Sequence, residues 1–440
     1  MEKKEGINMG VKKEEGFLRW GIKKTKNAIN AIKNNMLINC IKSSNITAAR
    51  FLIRINADVN CRDSQGKTLL HIAMSNSKLR EGDTEQKLIN RQLRLMQFLI
   101  DSGCNIEEPS KIAVEKDNEK KFEEFTALQY ACQTNEIAFV EKLLENGSNV
   151  NSRNTNNNGI TALMYACKYK YTNIAKLLLK NNADPNIPDD KGNTPLHEAC
   201  NQYDEELIEL LIRNGADINH KNTTGETVLH VASKNRCPIM VNFLLKNKAD
   251  IECKTNDKST PLHYACRTGS YETLKLLVEN NADVNAKTSE NDTALKICVL
   301  NKNAVLTEEL LKRGANVNER YNNGWQALHF AVQNNSFDIV NILAKNNADL
   351  NTMTTDKWTP YKLAEKNNND IIKNFLIRKN AGRKNSENKQ TDKYDKYKES
   401  KSTQVVKCVR DVVECGILEK IDRSSQNIDK SNLRRIIGMG

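Results

Sequence analysis

Five of the six histidines (His71, His197, His230, His263 and His329) stand three residues after a threonine, or after Gln326 in the last case. A histidine beside a hydroxyl is how a general base activates a nucleophile, and histidine with cysteine can make a zinc site. Cysteine recurs too: Cys132, Cys167, Cys200 and Cys266 each lie six residues after a threonine. The recurrence itself argues against chemistry. A reaction centre needs one base and one ligand set, without a fresh copy every 33 residues. None of the 12 cysteines forms a C-x-x-C pair, and no P-loop or G-x-G-x-x-G occurs. Each recurring histidine is therefore expected to hydrogen-bond the turn backbone at a junction between copies. Each recurring cysteine is expected to be a small buried apolar group. His220 is expected at a hairpin tip, in water. No catalytic residue, metal ligand or cofactor is expected.

What positions these residues is a period. Thr161, Thr194, Thr227, Thr260, Thr293, Gln326 and Thr359 follow one another at steps of 33 residues. The strings around them read GNTPLHEAC (192–200), GETVLHVAS (225–233), KSTPLHYAC (258–266) and GWQALHFAV (324–332). Further on come LIELLIRNGADIN (207–219), MVNFLLKNKADIE (240–252) and IVNILAKNNADLN (339–351). Proline after the threonine suits the first position of a helix, and the threonine can cap the free N–H groups. Twenty-one residues after each threonine, glycine or asparagine ends the second helix (Gly103 after an insertion, Gly147, Asn182, Gly215, Asn281, Gly314, Asn347, Asn380, with Asn56 before them). These are the residues that enter a left-handed conformation most cheaply. Lys248 is the exception, and its unit is expected to be among the weaker ones.

Period and motif together resemble the ankyrin repeat, with its 33-residue unit and T-P-L-H-x-A signature. The resemblance covers roughly residues 34–381. It implies an all-α solenoid of helix-turn-helix units with projecting β-hairpins, about ten in number, stabilised by stacking. Thr68 and Thr126 lie 58 residues apart, so the solenoid (34–382) is expected to carry insertions near 76–95 and 107–124. Before it, residues 1–33 form a basic segment, with an amphipathic helix expected over 17–32 as a cap. After it, 383–440 is a basic tail expected to be mostly disordered, with one amphipathic helix at 405–421 whose stripe is Val406, Val409, Val413, Ile417 and Ile421.

Charge and thiols bound the function class. The net charge of +12 is concentrated at the ends: +4 lies in residues 1–26 and +6 in residues 379–440. A groove tracking phosphates would put that excess inside the repeats, so nucleic acid is not an expected partner. No apolar run approaches the ~18 residues of a membrane span, and residues 1–26 lack an apolar signal core. Free thiols at this density imply a reducing intracellular compartment, the cytoplasm.

The resemblance also implies a concave surface of hairpins and first helices that binds partner proteins. Its contact positions fall on Ile160, Lys168, Tyr169, Trp325 and Trp358, while Tyr130, Tyr165, Tyr264 and Phe330 occupy the fourth position after the cap. Aromatics are only 5% of the chain, so their placement here marks Tyr130/Tyr165/Tyr169 and Trp325/Trp358 as anchors. The competing expectation is that these rings pack between neighbouring repeats. The expected function is a monomeric, non-catalytic scaffold or adaptor for an unidentified protein. The alternative is an adaptor whose tail, 405–440, recruits an enzyme or second factor. The Asn-, Lys- and Ile-rich composition resembles that of ankyrin proteins from microbes living inside eukaryotic cells, so delivery into a host cell belongs to that alternative.

Overall fold

The computed structural model describes residues 23–76, 84–116, 119–154 and 158–384. Its helices pair in sequence order. The first pairs are α1 (23–42) with α2 (Ile46–Arg54), α3 (Leu69–Met74) with α4 (Glu85–Asp101), and α5 (Ala127–Gln133) with α6 (Ile137–Glu145). Next come α7 (Ala162–Lys168) with α8 (Thr172–Lys180), α9 (Pro195–Asn201) with α10 (Glu205–Arg213), and α11 (Val228–Lys234) with α12 (Pro238–Lys246). The last are α13 (Pro261–Thr268) with α14 (Tyr271–Glu279), α15 (Ala294–Leu300) with α16 (Ala304–Lys312), and α17 (Ala327–Gln333) with α18 (Phe337–Lys345); α19 (Pro360–Lys366) and α20 (Asp370–Lys384) follow in sequence. The chain divides into a larger unit ending at Asn374 and a smaller one beginning at Phe375, of which the helical residues 375–384 are described. The tail helix expected at 405–421 lies outside the described residues.

Each short helix is unstable alone and forms because its apolar face is covered. In α9 and α10 the buried face is Leu196, Ala199 and Cys200 with Leu207, Ile208 and Leu211, all at most 1% exposed. Burying one leucine in this way contributes about 1.5–3 kcal/mol. The first helices start at the threonine, whose hydroxyl accepts the N–H three residues on in Thr126, Thr161, Thr293 and Thr359.

Between units, side chains complete what the backbone leaves open. The side-chain oxygens of Asn34, Asn60, Asn151, Asn186, Asn219, Asn285 and Asn318 each accept a backbone N–H of the following unit at 2.7–2.9 Å. Glu107 and Glu252 do the same for Asn149 and Asp283. The hairpins are tight turns rather than strands. They bond tip to tip, Thr223 N–H to the Lys191 carbonyl at 2.9 Å and Asn256 N–H to the Thr224 carbonyl at 3.0 Å. Gly192 and Gly225 sit at those tips with φ of 78° and 81°, and a Cβ on either would lie 2.7 Å from the next tip's backbone.

The histidines form a second set of links. Thr194 N–H donates to His197 Nδ1 (3.2 Å), so the ring proton is on Nε2, which donates to the Glu226 carbonyl of the next unit (3.3 Å). His230, His263 and His329 repeat this with the carbonyls of Ser259, Asp292 and Trp358 at 3.1–3.2 Å. Gln129 fills the same place: its Oε1 accepts Thr126 N–H at 3.0 Å, and its Nε2 donates to the Ser152 and Ile160 carbonyls, both at 3.1 Å. Burial pushes His71, His197 and His230 down to about 4 and lowers His263 and His329 as well.

Four sequence expectations change. The helix expected over 17–32 falls partly outside the described residues; its described part does not end at 32 but runs on in α1, continuous over 23–42, with residues 23–32 exposed. Of the insertion placed near 76–95, residues 85–95 are helix, part of α4, which has 17 residues where most second helices have 9. Buried Gln92 ties it down by donating to the Met74 and Asn76 carbonyls, both at 2.9 Å. The insertion near 107–124 forms an antiparallel pair, β1 (Ser110–Lys116) and β2 (Glu119–Phe125), in register Ser110 opposite Phe125. Asn380 ends nothing, because α20 runs through it to Lys384.

The other second-helix ends from Asn56 to Asn347 are left-handed, with φ from 64° to 89°, and Lys248 joins them at 66°. The same conformation recurs between the two helices of a unit, at Lys170, Tyr203 and Arg236, where the sequence carries no glycine or asparagine.

Two outcomes follow. A left-handed lysine costs roughly 1–2 kcal/mol, partly offset for glycine by its freer unfolded chain. Lys248→Gly should therefore raise stability by about 0.5–1 kcal/mol in urea titration; a loss would show that its side chain holds the turn. The second concerns pH. Folded pKa values near 4 lie below the unfolded 6.5, so the unfolded chain binds more protons between those limits. Each ring's stabilisation is complete above about pH 6.5 and falls by about 1.4 kcal/mol per unit towards pH 4. His197→Gln/His230→Gln, copying Gln129, should keep neutral stability and flatten that slope by two rings' worth; an unchanged slope contradicts the assignment.

Candidate functional site

Three rows of side chains run along the first helices: the residue before each cap, and the fourth and seventh after it. They fall into three groups.

The first is built on Phe125, which the end of β2 delivers fully buried. Its ring lies 5.5 Å from Tyr165 and 6.5 Å, edge-on, from Tyr130, which also meets His71 at 5.8 Å. Tyr165 is 1% exposed. The anchor expected there presents no surface; the ring packs between units. Tyr130 is half-buried, and burial, then Glu136, push its phenol up. Ile160 is half-buried and gives its carbonyl to Gln129. Tyr169 is exposed, stacks on Tyr171 at 5.8 Å, and carries Lys168 Nζ 5.6 Å from its ring centre.

The second is polar. The Tyr264 hydroxyl donates to the Glu226 carboxylate at 2.8 Å, and Lys234 Nζ lies 3.6 Å away. Burial would raise Glu226, but Tyr264 and Lys234 hold it below its usual value. Burial and the same bond raise the Tyr264 phenol. Arg267 lies 5.5 Å from the Tyr264 ring centre and 3.6 Å from Asp257, and donates to Ser259 Oγ at 3.0 Å. Burial opposes ionisation of Asp257, yet the Thr255 and Ser259 hydroxyls, with Arg267, bring it down to about 2. Glu198, in the row of Tyr165 and Tyr264, is raised by burial against the pull of Lys168.

The third is the largest. Trp325 packs 4.9 Å from Phe330 and 5.6 Å from His329. Tyr321 is buried 5.8 Å from Phe330, and its hydroxyl meets Thr293 Oγ1 at 2.7 Å. Lys296 Nζ stands 5.2 Å from both the Tyr321 and Phe330 rings and pairs with Asp292. Trp358 is half-buried under Lys366 Nζ at 4.9 Å, and Leu300 is 42% exposed.

Sequence reasoning missed Tyr321, Lys296 and Leu300. Lys296 stands where other units have histidine, so asking what replaces that histidine would have found it. Among the described residues, no group of three or more His, Cys, Asp or Glu side chains could hold a metal ion, and no helix is long and apolar enough to cross a membrane.

Burial separates the two neighbouring tyrosines. Tyr165→Ala should cost about 3–5 kcal/mol of stability, the range for truncating a buried ring, and Tyr169→Ala no more than about 1 kcal/mol. Equal losses in urea titration would contradict this placement.

The family model for ankyrin repeats in three copies matches residues 86–189, 181–255, 237–321 and 295–388. The crystal structure of the ankyrin repeat domain of Bcl-3, described as a unique member of the IkappaB protein family, is 27% identical. It covers 50% of this chain and 99% of that one, at a TM-score of 0.46. No curated protein matches the chain. With more than half its length matched by that family model, the chain belongs to the ankyrin-repeat family.

Proposed function

We propose that the chain is a non-catalytic scaffold that binds a partner protein along the strip formed by its first helices. It acts as a monomer in a reducing, intracellular compartment, where its cysteines stay free. Ankyrin repeats generally mediate protein–protein interaction. The support in this chain is a set of part-exposed rings, Tyr169, Trp325, Phe330 and Trp358, held on one strip by side-chain bonds between units. A strip ordered before the partner arrives loses little conformational entropy on docking.

Tryptophans that anchor an interface carry about 2–4 kcal/mol each. Affinity purification from the native cell should recover a partner with the wild-type chain and lose it with Trp325→Ala/Trp358→Ala, while Phe51→Ala on α2 retains it. Equal recovery by all three, with matched urea midpoints, would reject the strip as the binding surface.

A further inference from the structure

The strip does not present its charges evenly. From Thr161 onward the seventh position after the cap is basic in four of seven units (Lys168, Lys234, Arg267 and Lys366) and acidic in none. Within the three rows the acids, Glu198, Glu226 and Asp292, are turned to internal use. Glu226 is taken by the Tyr264 hydroxyl and Lys234, with the lysine side chain 58% exposed and the glutamate 15%. Asp292 is paired with Lys296, both side chains under 20% exposed. Glu198 is half-buried beside Lys168. Outside those rows, exposed acids stand at the hairpin tips, Asp190 paired with Arg153 and Asp257 beside Arg267, with Glu290 and Asp356 at the tips of later units.

Three of the four cations lean on an aromatic ring of their own unit: Lys168 on Tyr169, Arg267 on Tyr264, and Lys366 on Trp358, at 4.9–5.6 Å. Each pair offers a positive group and a flat apolar surface side by side. Their spacing is regular, since residues 168, 267 and 366 are three repeats apart in turn. At about 10 Å per packed helix layer this is about 30 Å, the reach of roughly nine residues of extended chain.

Resting on the function proposed above, we propose that the strip takes an extended acidic segment of the partner protein, in which carboxylates adjoining apolar side chains recur about nine residues apart. Each carboxylate meets one of these cations, and the neighbouring apolar group covers the ring beside it. Nucleic acid fits less well. Phosphates follow every few ångströms, whereas these cations are widely spaced and separated by half-buried carboxylates.

The test is selection of a phage-displayed random 20-residue peptide library on the full chain, followed by fluorescence anisotropy of the winners. Lys168→Glu/Lys366→Glu is the variant of choice, because neither lysine forms a close ion pair among the described residues. Lys168 does face half-buried Glu198, so a small fall in melting temperature is expected, and Lys366→Glu alone serves as the variant matched to wild type in stability. Enriched peptides should pair Asp or Glu with aromatic or aliphatic residues and bind the double variant at least tenfold more weakly. Neutral or basic winners that ignore the charge reversal but are lost on Trp325→Ala/Trp358→Ala would overturn the acidic segment and leave the strip standing. Winners indifferent to both variants, or no enrichment, would remove the strip reading with it. A 20-nucleotide single strand binding wild type more tightly than any winner, and lost on charge reversal, would assign the cations to nucleic acid and overturn the proposal.

Discussion

The structure depends on polar groups that one repeat leaves open and the next one closes. At most hairpin bases an asparagine oxygen, and at two a glutamate, waits for a backbone N–H of the following unit, and in four units a neutral imidazole carries the bond from a cap to the carbonyl ahead. Each such bond contributes about 0.5–1.5 kcal/mol, and an orphaned buried partner costs more. No unit is complete alone, so order spreads along the stack. The same requirement explains the histidines: in the units of His197, His230, His263 and His329 the ring is an acceptor on one side and a donor on the other. Burial keeps it neutral, and only the neutral ring can do both.

The architecture was legible because repetition averages away local ambiguity. The cap threonines and the glycine or asparagine at the second-helix ends marked the boundaries of most units. Lys248 shows how far local preference yields: it takes the left-handed turn its neighbours take, because the flanking helices fix the ends. What sequence could not give was set by contacts between units. Tyr165 and Tyr169 differ by four residues and sit on opposite sides of the packing boundary. That outcome depends on Phe125, delivered by an inserted hairpin from the preceding unit. The continuation of α20 through Asn380 is a similar case, since asparagine permits a helix end and does not enforce one.

Along the strip the chain departs from a uniform array. Glu226 and Asp292 are drawn inward by a tyrosine hydroxyl or a lysine, while Arg267 and Lys366 lie against aromatic rings. A repeat fold fixes where side chains stand at each step; which residues fill the fourth and seventh positions then decides what the surface can hold. Here the fill is aromatic at both ends and ionic in the middle.

The most direct measurement is hydrogen–deuterium exchange of the chain with and without its captured partner. Slowed exchange confined to the hairpin bases and first helices, residues 160–169, 258–268, 325–334 and 358–367 above all, is the predicted result. Protection falling instead on the second helices, or only beyond residue 384, would contradict binding along the strip.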